Sequence, residues 1–178
     1  MYSPDPNMLG IGLLVARVVL GLLMAAHGAQ KLLGWFGGYG LKTTGEFMVQ
    51  LGYSRGRFFA STAAITEVVS GLLVALGLFG PIGPALMLSV MIVAAITVHW
   101  SNGIFSATNG IELPLLYATG AVAIALTGPG PFSLDALLGI TSLWSPRITA
   151  LALAVGVVGG IANLMVRRPP VAMGGAGR

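Results

Sequence analysis

The sequence predicts an all-α integral membrane protein: a four-helix transmembrane core followed by a fifth, C-terminal transmembrane helix. Three observations carry this. Charged residues make up 8% of the chain and hydrophobic ones 56%, with a mean hydropathy of +0.91, whereas soluble domains carry about 25% charged residues. So little charge cannot coat a water-facing surface. The apolar residues gather into runs at 9–33, 59–79, 82–100, 112–127 and 147–166, and about 20 apolar residues cross a hydrocarbon core about 30 Å thick. Backbone in lipid must satisfy its own hydrogen bonds, which leaves helices or closed barrels. Runs that are continuous, with no period-two alternation, select helices.

At 178 residues the chain is read as one domain. Residues 1–8 form a short leader, expected on the extracytoplasmic side. They hold Asp5 and no basic residue, and Arg17 interrupts the run that follows, so 9–33 reads as a retained helix rather than a cleaved signal. The connection 34–57, GWFGGYGLKTTGEFMVQLGYSRGR, is long, aromatic and glycine-rich; FMVQLGY within it reads as a short interfacial helix. Span 59–79 then turns tightly through GPIGP into span 82–100. NGIFSATNG, rich in turn residues, leads to 112–127, the shortest span and one that starts on a charge. In TGPGPFSLDALLG, Ser133 is positioned to cap a short interfacial helix. The last span carries Ala152, Gly156 and Gly160 at four-residue spacing, a seam suited to close packing inside the bundle. The tail 167–178 reads as disordered and basic. Trp35, Trp100 and Trp144 all fall near span ends, as an aromatic belt requires.

The net charge of +4 does not point to nucleic acid, because the basic residues flank hydrophobic runs. The first connection holds Lys42, Arg55 and Arg57, and the tail holds Arg167, Arg168 and Arg178. An odd number of spans puts both on one side, and the positive-inside rule makes that side cytoplasmic and the N-terminus external. The chain has no cysteine, so it has no disulfide or thiol relay of its own, and no metal site is expected.

Within this hydrocarbon the ionisable residues stand out, since a charge at mid-bilayer costs roughly 2.5–3.5 kcal/mol on insertion scales. At 100° per residue, Arg17, Gly21, Met24, Gly28 and Lys31 fall along one line of the first helix, with His27 off to one side. Glu67, Ser70, Gly71 and Val74 make a comparable stripe on the second span. At about 1.5 Å per residue, Arg17 lies about 21 Å from Lys31 and Glu67 about 12 Å in from its own end. The gap of about 9 Å between Arg17 and Glu67 is one that two long side chains or a polar ligand can bridge. His99 and Glu112 fall at the level of His27 and Lys31. The expectation is a polar track of Arg17, His27, Lys31, Glu67, His99 and Glu112. Each also has a plainer reading: a snorkelling lysine, an interfacial histidine, a helix N-terminal acid, a structural ion pair.

RVVLGLLMAAHGAQKLLGWFGG, EVVSGLLVALGLFGPIGPALM and HWSNGIF…NGIELPLLYATGAVAIALTGPGPFSLDALLG together resemble the DoxX family of small bacterial membrane proteins, over about residues 9–139. The resemblance implies a four-helix core, named for a subunit of an archaeal thiosulfate:quinone oxidoreductase. It implies partners in membrane-bound oxidoreductase complexes that handle thiol stress, and residence in the bacterial cytoplasmic membrane. It marks Arg17, Gly21, His27, Gly28, Lys31, Glu67 and Gly71 as family positions, with Asn102, Gly103, Glu112, Gly128, Gly130 and Asp135, and assigns none of them a catalytic role.

Three functions follow. The first is an integral subunit of an oxidoreductase system, quinone-linked and engaged in thiol or sulfur redox chemistry, with the polar residues moving protons and Arg17 stabilising oxyanion charge. His27 and His99, the only histidines, also allow a less favoured haem reading. The second is a non-enzymatic scaffold that anchors partner proteins. The third is a small transporter or lipid-handling protein using the polar track as its path, ranked last because no inverted repeat is evident.

Overall fold

The computed structural model describes residues 5–168, and every element in it is helical. The helices are α1 (Pro6–Leu33), α2 (Gly40–Gln50), α3 (Gly56–Leu76), α4 (Ile82–Ala94), α5 (Glu112–Thr127), α6 (Leu134–Leu137) and α7 (Pro146–Met165). α4 runs on through a π-helical turn, Ala95–His99, and a 3₁₀ turn, Trp100–Asn102. Four helices are long and apolar enough to cross a membrane: Pro6–Leu33, Gly56–Leu76, Ile82–Asn102 and Pro146–Met165. α5, expected as a further span, is a shorter apolar helix of 16 residues. That gives it a rise of about 24 Å.

α1 begins earlier than expected. The Asp5 carboxylate accepts from Asn7 N at 2.8 Å, and Pro6 takes the first helical position, where a missing N–H costs nothing. Most of the described leader is therefore helix; residues 1–4 lie outside the described residues. α1 and α3 run antiparallel along the two stripes read from the sequence. Gly10, Arg17, Gly21, Met24 and Gly28 are the buried residues of α1, and Glu67, Ser70, Gly71 and Val74 are buried on α3. A Cβ on Gly71 would stand 2.5 Å from both Ala25 N and Gly21 O, so the backbones touch only because the position is glycine.

α7 packs on α4 in the same direction. Gly156 faces the Ala85 carbonyl and Gly160 the Ser89 carbonyl. The four-residue seam thus serves packing within the bundle. The core between these pairs is Met24, Val74, Met87, Val90, Met91, Tyr117, Ala121 and Ile124, while Leu22, Leu23 and Val155 face outward.

Three features differ from expectation. The short helix expected at FMVQLGY spans Gly40–Gln50 instead, and packs on α3 with Gly56 against the Gly45 carbonyl. Its polar LKTTG start hides it from an apolar-run reading. Tyr53, beyond its end, is buried, with its ring 4.5 Å from that of Phe59. The tail is tied down where it leaves α7: Arg168 N donates to Gly52 O at 2.9 Å and Arg167 Nε to Leu51 O at 2.9 Å. The rest of it, 169–178, lies outside the described residues. These bonds put the C-terminal end of α7 and the α2–α3 connection at one end of the bundle. Finally, Trp35 and Trp100 are exposed, whereas Trp144 donates its indole N–H to Asp135.

Candidate functional site

The structure does not bring Arg17 and Glu67 together. The six expected residues separate into three groups with no hydrogen bond or ion pair between groups among the described residues.

The first group lies where α1 meets α3 and α5. Lys31 Nζ donates to both carboxylate oxygens of Glu67 at 2.5 Å. The Glu67 side chain is 3% exposed and that of Lys31 32%, so the carboxylate sits in the bundle and the ammonium reaches it from the rim. Backbone arithmetic put Lys31 about 12 Å from the level of Glu67, farther than Arg17, yet it is the lysine's flexible four-carbon stem that reaches the carboxylate. His27, exposed, stands edge-on to the buried ring of Tyr117 at 5.9 Å. Tyr117 also lies within electrostatic reach of Glu67. Sequence reasoning missed this tyrosine, which looks like one more apolar residue of α5; its registry with His27 is a tertiary fact.

Beside this pair opens a cavity of about 420 Å³ between α1 and α2. Lys31, His27 and Gln30 line one side and Tyr39, Thr43 and Phe47 the other. Gln30 Nε2 holds the Phe36 carbonyl at 3.1 Å, which fixes the glycine-rich turn that closes the cavity. The combination of an apolar wall, a few polar groups and a volume within about 300–1,000 Å³ is typical of a small-molecule site.

The second group is Arg17 with the far end of α3. Arg17 is 1% exposed. Its guanidinium donates to Ala75 O at 3.4 Å and to the Phe132 carbonyl of the GPGPFSLD loop. Its Nε has no partner among the described residues. The carboxylate acting on it electrostatically is Asp135, itself fully buried. Asp135 accepts from Phe79 N at 2.8 Å, Gly80 N at 2.7 Å and Trp144 Nε1 at 2.7 Å. Phe79 and Gly80 both have positive φ, 60° and 48°, which turns their two N–H groups toward one anion. Ser133 caps α6 as expected, accepting from Ala136 N at 3.2 Å. Arg17 and Asp135 thus clamp the α3–α4 turn, the loop before α6 and the start of α7.

The third group belongs to the loop after α4. His99 Nδ1 bonds the Asn109 carbonyl at 2.7 Å, and Glu112 accepts from Ser106 N at 2.7 Å. Asn102 also reaches Asn109 O, at 3.3 Å. These residues hold the loop's shape. His99 does not line the cavity at His27.

A family model for DoxX matches residues 12–100. That stretch takes in α1 from its second turn, α2, α3 and α4 as far as Trp100, and stops short of the likeness read from the sequence to Gly139. No curated protein and no solved structure matches the chain.

Proposed function

The chain belongs to the DoxX family, and from that premise we propose that it is the membrane subunit of a quinone-linked oxidoreductase system serving thiol or sulfur chemistry. The site we assign is the Lys31–Glu67 pair with His27 and Tyr117, opening on the cavity between α1 and α2. The observation that carries this is the pairing itself: a buried carboxylate held by an ammonium that also faces a cavity. Intramembrane charges are expensive, and where they are kept they usually mark pathways or binding sites.

A quinone ring bound in the cavity would supply a two-electron, two-proton acceptor. The chain's own residues would bind it and manage protons. Lys31 Nζ and the His27 ring are the donors at the cavity wall. Glu67 positions Lys31 through the ion pair, and Tyr117 packs edge-on against His27. With no cysteine in the chain, electrons from a thiol must arrive from a partner protein. In this reading α5 is the fifth span, the tail and the α2–α3 connection face the cytoplasm, and the membrane is the bacterial cytoplasmic one.

One observation favours the scaffold reading: Trp35, Phe36 and Tyr39 are 60%, 70% and 83% exposed on the α1–α2 connection, a surface on which a partner could dock. The transporter reading loses its continuous polar path, because the polar residues form separate groups.

The test is Glu67→Gln and His27→Leu in native membranes. The oxidoreductase reading expects normal abundance with quinone reduction lost in at least one variant. The scaffold reading expects quinone reduction to persist in both and to fall when Trp35 and Phe36 are both replaced by serine.

A further inference from the structure

We propose that a second cavity, between α3, α4 and α7, binds the carbonyl oxygen of a neutral, mainly apolar molecule. It encloses about 210 Å³ and no charged side chain lines it. Its apolar walls include Phe59, Val90 and Val93; its polar groups are Tyr53, Thr62, Thr66, Ser89 and Asn163.

The hydrogen-bond inventory identifies the ligand chemistry. Tyr53 donates its hydroxyl to Asn163 Oδ1 at 2.7 Å. Burial pushes the Tyr53 phenol up, opposed by Arg167, so it remains a donor at neutral pH. With its oxygen engaged, the Asn163 carboxamide is left with two N–H donors, which make no bond among the described residues. The Thr66 and Ser89 hydroxyls likewise make no bond among the described residues. Thr44, Ser61, Thr97 and Thr127, by contrast, all bond the carbonyl four residues back. A Cβ on Gly159 would stand 3.4 Å from Ser89 Oγ, so the glycine keeps open the space before that hydroxyl. Three sources of hydrogen-bond donors therefore face a cavity without counter-charge. These three residues are only partly buried, so their free polar groups stay open to a molecule entering the cavity, and with no charged side chain beside them they suit a neutral hydrogen-bond acceptor.

The volume lies below that of a site enclosing a whole drug-sized ligand. It admits one end of a molecule whose remainder lies in lipid. Two membrane species carry a neutral carbonyl on a long apolar tail: a quinone, and the ester linkage of a diacyl lipid. Gly159 and Asn163 come from α7, outside the matched residues 12–100, while the rest of the lining lies within them, so α7 completes a cavity that the matched helices begin. It is independent of the site at Lys31 and Glu67.

The experiment is photo-affinity labelling of the full chain in lipid nanodiscs, with labelled peptides mapped by mass spectrometry. Three probes carry a diazirine beside the linkage: a short-chain benzoquinone, an ester-linked phospholipid and its ether-linked counterpart. The expected result is labelling of α4 and α7 near Ser89 and Asn163 by the quinone, or by the ester but not the ether lipid. The first outcome identifies a quinone, the second a lipid ester. Ser89→Ala with Asn163→Leu should reduce that labelling about tenfold, the equivalent of one to two hydrogen bonds, and leave labelling near Lys31 unchanged. Gly159→Leu, which fills the cavity without removing a donor, should abolish it and covers the case in which the double variant does not fold. Equal ester and ether labelling without quinone labelling here, labelling confined to the Lys31 cavity, or labelling indifferent to these substitutions overturns the proposal.

Discussion

Lys31→Met should destabilise the protein more than Glu67→Gln, although both break the same ion pair. Glu67 is 3% exposed and Lys31 32%. Removing the lysine strands a carboxylate inside the bundle, and stranding one partner of a buried pair costs about 3–5 kcal/mol. Because Lys31 is one-third exposed the pair is only partly desolvated, so the lower end, about 3 kcal/mol, applies. Removing the charge on Glu67 leaves an ammonium that can swing into the adjacent cavity, at about 1 kcal/mol. The difference of about 2 kcal/mol is more than tenfold in the folding equilibrium. The double variant should recover to within about 1 kcal/mol of wild type, since neither residue then leaves a charge behind. The measurement is a denaturant titration in detergent micelles, followed by helical signal, across the four-member cycle. Equal losses in the two single variants, or strictly additive losses in the double, would refute the reasoning.

Asp135→Asn should cost about 3 kcal/mol, because an amide turns an N–H₂ toward one of three N–H donors that the carboxylate accepts from; thermal unfolding in micelles reads it. Arg17→Met should release the loop carrying Phe132, seen as faster amide exchange over residues 128–135, and Arg17→Lys should fail to restore protection because it lacks the guanidinium fork. Gly71→Leu should lower the yield of folded protein sharply, since even a Cβ there stands 2.5 Å from α1 backbone. Gly156→Val should cost about 1–3 kcal/mol through α7 standing off from the Ala85 carbonyl; melting temperature reports it.

What could be read from the sequence was whatever depends on helical spacing within one element. Arg17, Gly21, Met24 and Gly28 lie on a common face by 100° arithmetic and are all buried. The seams at Glu67–Val74 and Gly156–Gly160 follow the same rule. Partner choice did not follow, for physical reasons. Backbone depth placed Arg17 and Glu67 within reach of one another, but a lysine stem spans more than a helical turn, and Lys31 reaches Glu67 first. Arg17 instead finds a carbonyl 115 residues away in a loop of glycine and proline, where no periodicity marks an acceptor. Asp135, known only as a family position, proved to be the hub of the far end because two residues with positive φ turn their N–H groups toward it. His99 and Glu112, expected on the polar track, spend their polar atoms on the loop between them.

The bonds from Arg167 and Arg168 to Leu51 and Gly52 have a consequence for anything attached to this end of the chain. They fix the point from which such a segment departs, beside the connection that α2 and α3 share. A domain fused to this end would start from that one patch of the bundle. A short tether of this kind sets a local concentration in the millimolar range. Weak affinity for that patch would then suffice for stable engagement, and cutting the chain at residue 168 would abolish it without disturbing either surface.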